Sequence, residues 1–402
     1  MTTVSRGPGS FIRRDGIVRS VSAVVFPFKD EDPEVVTRNV LAAASHPRVT
    51  EVTCVGLDRN TTFDALEEIA PGVSGANVTV ILQRRVGSLR PGKGDAMNTG
   101  LLSFLEHSHE QRVHFYDADI TNFDAGWIEQ AEQAADAGFD IVRHFFPRAS
   151  TDAMITWMIT RIGFAVLWPD TELPRIGQPL GGEMLLTREA AETIASDHRV
   201  LTQSDWGVDT LYTFVMVQRE RRLYETYVAS GKQHRLYGGL QELGTMLVEC
   251  FAAVQALQHE AVPVGTPHVM EATRPATEAI ATKVGYDIDA TLPLLASGWS
   301  EHQDDLLDAL PARVAHGMRA ARQYPTVAFM DEDAWYETYL RLLSDFDASD
   351  VDWRRLLFRL WVARVLHYTF TEALRGHASA SAYLEAMVQR TIRRSARKES
   401  SR

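Results

Sequence analysis

The sequence predicts an α/β fold: a mainly parallel sheet with helices on both faces, followed by an α-helical domain. Three observations carry this. Short β-rich apolar runs alternate with helix-length segments from Val21 to Phe146, the pattern of βαβ units. After about residue 240 the apolar spacing becomes helical, and Trp353, Leu357, Leu360 and Trp361 share one face. The polar segments "FPFKDED", "VGLDRN", "LQRRVGSLRPGKG" and "DADITNF" fall where strands end. Ligands of such sheets bind beyond the carboxyl ends of the strands.

The elements follow in order. Residues 1–19, rich in Gly, Ser and Arg, read as a flexible extension. "VSAVVFPF" is a strand, and "DPEVVTRNVLAAASH" a helix with Asp32 at the N-cap and Pro33 in its first position. "EVTCVGL" and "VTVILQ" are strands, followed respectively by the helices "TTFDALEEIA" and "GDAMNTGLLSFLEH". "RVHFYDAD" is a fourth strand, "AGWIEQAEQAADAG" a helix and "DIVRHFF" a fifth strand. "QPLGGEML" is a glycine turn running into a strand, and "SDWGVDTLYTF" opens a helix with Asp209 in its first turn. The Pro/Thr-rich stretch 262–277 is a loop. This divides the chain into a catalytic domain at 20–240, a helical domain at 241–388 and a basic tail at 389–402.

Composition narrows the function. A net charge of −12 over 402 residues argues against a dedicated nucleic-acid binder. The two cysteines, Cys54 and Cys250, lie in apolar runs and read as buried thiols, which fits the cytosol. No uncharged apolar run reaches the length of a membrane span, and the N-terminus lacks the order of a secretion signal. A cytoplasmic protein is expected. The large apolar helical third makes self-association plausible.

Asp117 and Asp119 end the fourth strand. In a strand, residues two apart point the same way, so their carboxylates repel unless a cation offsets them. A hard divalent ion with oxygen ligands is the natural partner, although paired aspartates also serve as turn caps. "LRPGKGDAMNTGL" places Lys93 in a glycine-rich loop opening a helix, where anions are favoured. It is not a Walker loop. Further along stand Arg143, Arg148 and Thr156, then Asp205 and Asp209, then His234, Arg235 and Tyr237. Only a fold can bring His234 to Asp119.

These stretches together resemble the mannosylglycerate synthase family, retaining glycosyltransferases of the nucleotide-sugar-binding GT-A fold. The resemblance rests on "VVFPFK", "LRPGKGDAMNTGL", "VHFYDADI", "VRHFFPRASTDAMITWMITRIGFAVLWP", "QPLGGEML", "SDWGVDTLYTF" and "QHRLYGGL". It continues through "TMLVECFAAVQALQHE", "VGYDIDATL" and "FMDEDAWYETY", and so runs from about Val21 to about residue 385. It implies transfer of mannose from GDP-mannose to D-glycerate with retention, aided by Mg2+ or Mn2+, to make a compatible solute. It also implies roles. Asp119 and His234 would ligate the metal together with the donor diphosphate, and Asp117 would join this metal, donor and catalytic set beside them, near the ribose or a metal-bound water. Pro27, Phe28, Lys29, Glu31, Val55, Gln83 and Lys93 would hold the donor. Leu180 and Asp209 would flank the transferred sugar. Arg148, the turn of Ala153, Met154, Ile155 and Thr156, Arg235 and Tyr237 would hold the acceptor. Asp209 would be either the nucleophile of a double displacement or a ligand of mannose hydroxyls.

Three other readings compete. A related transferase would use UDP- or GDP-glucose, or 3-phosphoglycerate. The nearly chargeless "STDAMITW" favours an unphosphorylated acid. A silent nucleotide-sugar sensor would have lost part of the metal set. A phosphatase-like hydrolase would carry its aspartate pair after the first strand, not the fourth.

Overall fold

The computed structural model describes residues 3–5, 11–14, 17–234, 239–281, 285–324 and 326–399, with only the backbone below residue 20 and at Glu399. Three short strands come first: β1 (Thr3–Ser5), β2 (Phe11–Arg14) and β3 (Ile17–Ser20). They pair antiparallel as a sheet of their own, within the segment read as an extension.

The main sheet holds β4 (Ser22–Phe28), β5 (Val49–Gly56), β6 (Asn77–Leu82), β7 (Arg112–Phe115), β8 (Ile141–Phe145), β9 (Met184–Thr187), β10 (Leu223–Tyr227) and β11 (His268–Met270). The spatial order is β11-β10-β8-β9-β7-β4-β5-β6. Every pairing is parallel except those of β9, which is antiparallel to both β7 and β8.

The helices beside the early strands are α1 (Pro33–Ala44), α2 (Thr61–Ile69), α3 (Lys93–His107) and α4 (Gly126–Asp136). Later come α5 (Arg161–Leu167), α6 (Arg188–Ala195), α7 (His198–Thr202), α8 (Val208–Gln218) and α9 (Gly244–Ala256). The Asp32 carboxylate caps α1 by accepting from the Glu34 amide at 2.8 Å, with Pro33 in the first turn as its fixed φ allows.

Alternation along β4 builds two layers. Val24, Phe26 and Phe28 pack with Val36 and Val40 of α1, Phe63 and Leu66 of α2, and Trp127 and Ile128 of α4. Val25 points the other way, to α3. There Gly100 lies so close that a Cβ would sit 2.5 Å from Val25 Cγ1. A side chain at this position would drive the helix off the sheet.

The chain divides into two compact units interleaved in sequence. One comprises 1–147, 177–235 and 265–274; the other comprises 148–176, 236–264 and 275–402. The segment 148–176 and strand β11 therefore fall across the linear boundary drawn at 240. The second unit is helical, with long helices at Glu332–Asp345, Val351–Thr371 and His377–Glu399, the last running through most of the basic tail. Its core includes Trp353, Leu357, Leu360 and Trp361, as their spacing predicts. A π-helical turn, Thr156–Thr160, precedes α5. Its wide winding leaves carbonyls for outside donors. Trp335 Nε1 donates to Met158 O and Tyr339 Oη to Ile159 O, both at 2.9 Å. Among the described residues no helix is long and apolar enough to cross a membrane.

Candidate active site

Register brings the strand ends of the first unit together. Pro27 and Phe28 pair with Val55 and Gly56, and Val25 pairs with Phe115, two residues before Asp117. Gln83 follows β6, its amide on Gly56 O at 2.8 Å. The proposed donor residues Pro27, Phe28, Lys29, Val55 and Gln83 thus share the carboxyl end of β4, β5 and β6. Glu31 joins them: burial raises its carboxyl pKa, and nearby Asp119 and Asp30 add to the shift against amide hydrogen bonds that lower it.

Asp117 is gripped by two ammonium groups. Lys93 Nζ lies 3.0 Å from Oδ1, and Lys232 Nζ lies 2.7 Å from Oδ2. Lys93, the first residue of α3, also reaches Asp209 Oδ2 at 3.1 Å and stands over the Trp206 ring. Lys232 reaches Glu183 Oε1 at 2.5 Å. Burial would raise the Asp117 pKa, but Lys232 and Lys93 outweigh it and hold the carboxyl well below its usual range. Burial would likewise lower Lys93, yet Asp117, Asp209 and Glu183 hold it above the usual lysine value. Burial raises both Asp209 and Glu183, opposed by Lys93 and Lys232 respectively. Asp209 Oδ1 and Glu183 Oε2 are buried acceptors without a hydrogen-bond partner.

Arg143 of β8 completes the cluster. It is fully buried, and its Nη1 donates to the carbonyls of Gly181 (2.9 Å) and Gln178 (3.3 Å). That pins the turn carrying Leu180 and Gly182. A Cβ at Gly182 would meet Asp117 Oδ1 at 2.3 Å and Lys93 Nζ at 2.9 Å, so a side chain there would displace both groups. At the start of α3, Gly94 plays the same part: a Cβ would lie 2.3 Å from Gln203 O. Asp95 then anchors the loop, accepting from the Val86 and Gly87 amides at 3.0 and 2.8 Å. Asp205 is a turn former, accepting from the Gly207 amide at 2.9 Å.

The loops bearing Asp119 and His234 run side by side. Thr121 N donates to Gln233 O at 2.7 Å, Asn122 Nδ2 to Gly231 O at 2.9 Å, and Gln233 N to Asn122 Oδ1 at 2.8 Å. These bonds, with Thr121 Oγ1 on Gln233 O at 3.1 Å and Lys232 on Asp117, close a chain separation of more than a hundred residues. No described residue bonds or ion-pairs with the Asp119 carboxylate. Among the described residues no three His, Cys, Asp or Glu side chains converge as a metal-binding group. A carboxylate and an imidazole on adjoining loops nevertheless suit a cation whose other ligands come from a bound diphosphate.

The proposed acceptor residues Arg148 and Ala153 to Thr156 lie in the second unit. Arg148 Nη1 pairs with Asp152 Oδ2 at 3.0 Å. Ala153 takes the left-handed backbone, φ 57°, its amide on Asp152 Oδ1 at 2.7 Å. Met154, Ile155 and Thr156 are buried. Arg235 and Tyr237 lie outside the described residues. Sequence reasoning missed Lys232 and Glu183. The signal was an acid opening a strand after two glycines and a lysine two residues before His234.

The comparisons agree with the first reading. The model of the mannosylglycerate synthase GT domain matches residues 22–256, and that of the mannosylglycerate synthase C-terminal domain matches 280–388. A mannosylglycerate synthase from Rhodothermus marinus is 55% identical over 92% of this chain and 94% of its own length. One from Selaginella moellendorffii is 52% identical over 94% and 90%. Among solved structures, glucosyl-3-phosphoglycerate synthase from Mycobacterium tuberculosis in complex with Mg2+ and uridine diphosphate aligns at TM-score 0.48 and 21% identity, over 61% of this chain and 80% of that one. That likeness is too slight to build on. The sheet is mainly parallel, as expected, and both family domains follow each other along nearly the whole length: the chain belongs to the mannosylglycerate synthase family.

Proposed function

We propose that the protein is a cytoplasmic, metal-dependent transferase that moves mannose from GDP-mannose to the 2-hydroxyl of D-glycerate, with retention. One observation carries it beyond family membership. Asp117, Asp209, Lys93 and the adjoining Asp119 and His234 loops gather at the carboxyl end of the sheet, where such folds bind nucleotides. Asp119 and His234 would hold the divalent ion, which supplies charge to offset that growing on the departing diphosphate. Lys93 adds a fixed cation there, and Asp117 is the carboxylate that orients it.

The bond from mannose C1 to the diphosphate oxygen breaks as one to the glycerate oxygen forms, and the hydroxyl proton passes to the leaving phosphate. Asp209 holds the sugar in this reading: its ion pair with Lys93 makes it a poor nucleophile, while its unpartnered Oδ1 can accept from a hydroxyl. Arg148 receives the glycerate carboxylate as a bidentate donor. Its pairing with Asp152 favours a singly charged acid over a phosphorylated one, since a phosphate would face the Asp152 carboxylate. The test is proton NMR of the protein with Mg2+, GDP-mannose and D-glycerate. A new α-mannoside signal with GDP release supports the proposal. No product, or product only with a glucose donor or 3-phosphoglycerate, overturns it.

A further inference from the structure

The turn assigned to the acceptor is braced from three sides by parts of the chain far away in sequence. Tyr368 Oη, from the helix Val351–Thr371, donates to Ser150 O at 2.6 Å. His377 Nε2, at the start of the next helix, bonds Arg148 O at 2.8 Å. Thr151 Oγ1 accepts from the Gly285 amide at 2.7 Å. Each of these bonds ends on the backbone of 148–151 or on its one buried threonine, immediately before Ala153.

Such bracing has a purpose that local structure does not supply. Ala153 holds a left-handed φ that a residue with a Cβ adopts only when its surroundings enforce it. Arg148 must keep its fork aimed while paired to Asp152. A loop without anchors would relax at both points. Tyr368 is itself fixed, since its ring stacks on Tyr383 with centroids 5.6 Å apart. Its helix is held to the 285–286 segment by Tyr286 Oη and Thr369 Oγ1 at 2.7 Å.

We propose that Tyr368 and His377 are positioning residues for the acceptor: the C-terminal helices set the glycerate affinity by holding the Arg148–Thr156 turn. This rests on the proposed assignment of that turn to glycerate. Neither residue touches the substrate. Each acts through the backbone carbonyl it binds.

The test is steady-state kinetics of Tyr368→Phe, His377→Ala and His377→Gln beside the parent protein, varying D-glycerate and GDP-mannose in turn. Loss of one hydrogen bond predicts a KM for glycerate raised about five- to tenfold in the first two variants. The KM for GDP-mannose and the kcat should stay within about twofold, and His377→Gln, which keeps a donor, should recover most of the loss. A merely structural role would move both KM values and kcat together, or would lower active enzyme without changing either KM. In a variant that folds, either of these, or no change at all, overturns the proposal. Arg148→Ala, measured in parallel, separates the two levels: if it too leaves the glycerate KM unmoved, the acceptor assignment has failed rather than the bracing. Should Tyr368→Phe not fold, the His377 pair decides alone.

Discussion

At the scale of the residue, the lesson is charge balance. Asp117, Asp209 and Glu183 face Lys93, Lys232 and Arg143 in a largely buried region, with Glu225 also acting on Arg143. The aspartate pair, Lys93 and Asp209 were legible, because a strand-end carboxylate and a glycine-flanked lysine have local signatures. Lys232 and Glu183 were not: they meet Asp117 and each other across 115 and 49 residues, and spacing carries no trace of that. The balance makes a prediction. Lys232→Met strands the fully buried Glu183 and should cost ~3–5 kcal/mol in urea unfolding, as breaking a buried pair does. Adding Glu183→Gln should restore most of it, and a double variant no more stable than the single one would contradict the pairing. Asp119→Ala and His234→Ala should each lower metal-dependent turnover about 100-fold or more, and Mn2+ affinity measured with GDP present should fall alongside. Near-normal Mn2+ binding in either variant would remove that residue from the metal site.

At the scale of the element, the glycine-rich loop before α3 changes its meaning. The sequence alone places Lys93 in a glycine-rich loop opening a helix, where anions are favoured. The structure gives Gly94 a packing task, since its missing side chain lets the first turn of α3 press against Gln203 and Ser204. Lys93 stands in the same turn, so that contact would aim it. Gly94→Ala must push the helix start away from a backbone carbonyl, which cannot yield as a side chain could. We expect a stability loss of ~1–3 kcal/mol and a kcat reduced more than either KM. Thermal melts and kinetics on the same preparation check it, and a variant with unchanged kcat would show that the helix start does not aim Lys93. The strands and helices of this region were readable because period and caps agree, as at Asp32 and Pro33. The π-helical turn was not, because Trp335 and Tyr339 stabilise it from more than 170 residues away.

At the scale of the whole molecule, two units interleave in one chain, and each holds a histidine that resists protonation. In the first, His144 of β8 is fully buried with Nε2 on Trp127 O at 3.0 Å, and its pKa is pushed down to about 4 by burial and by His114. In the second, burial and Arg364 push His367 down to about 4 as well. A free imidazole titrates near 6.5, so between pH 6.5 and 4 the unfolded chain binds more protons than the folded one. Stability therefore rises with pH across that window. It is complete above about pH 6.5 and lost as the pH falls toward 4. For His144 the full loss is about 3 kcal/mol. Thermal unfolding at pH 7, 6, 5 and 4 should show the midpoint dropping with acid. His144→Gln should flatten the slope of the first unit's transition and His367→Gln that of the second. If the two units melt separately, each variant flattens one transition and leaves the other. If they melt as one, both variants flatten the same curve. A midpoint that holds steady from pH 6.5 to 4 would mean that neither histidine stays neutral in the folded protein.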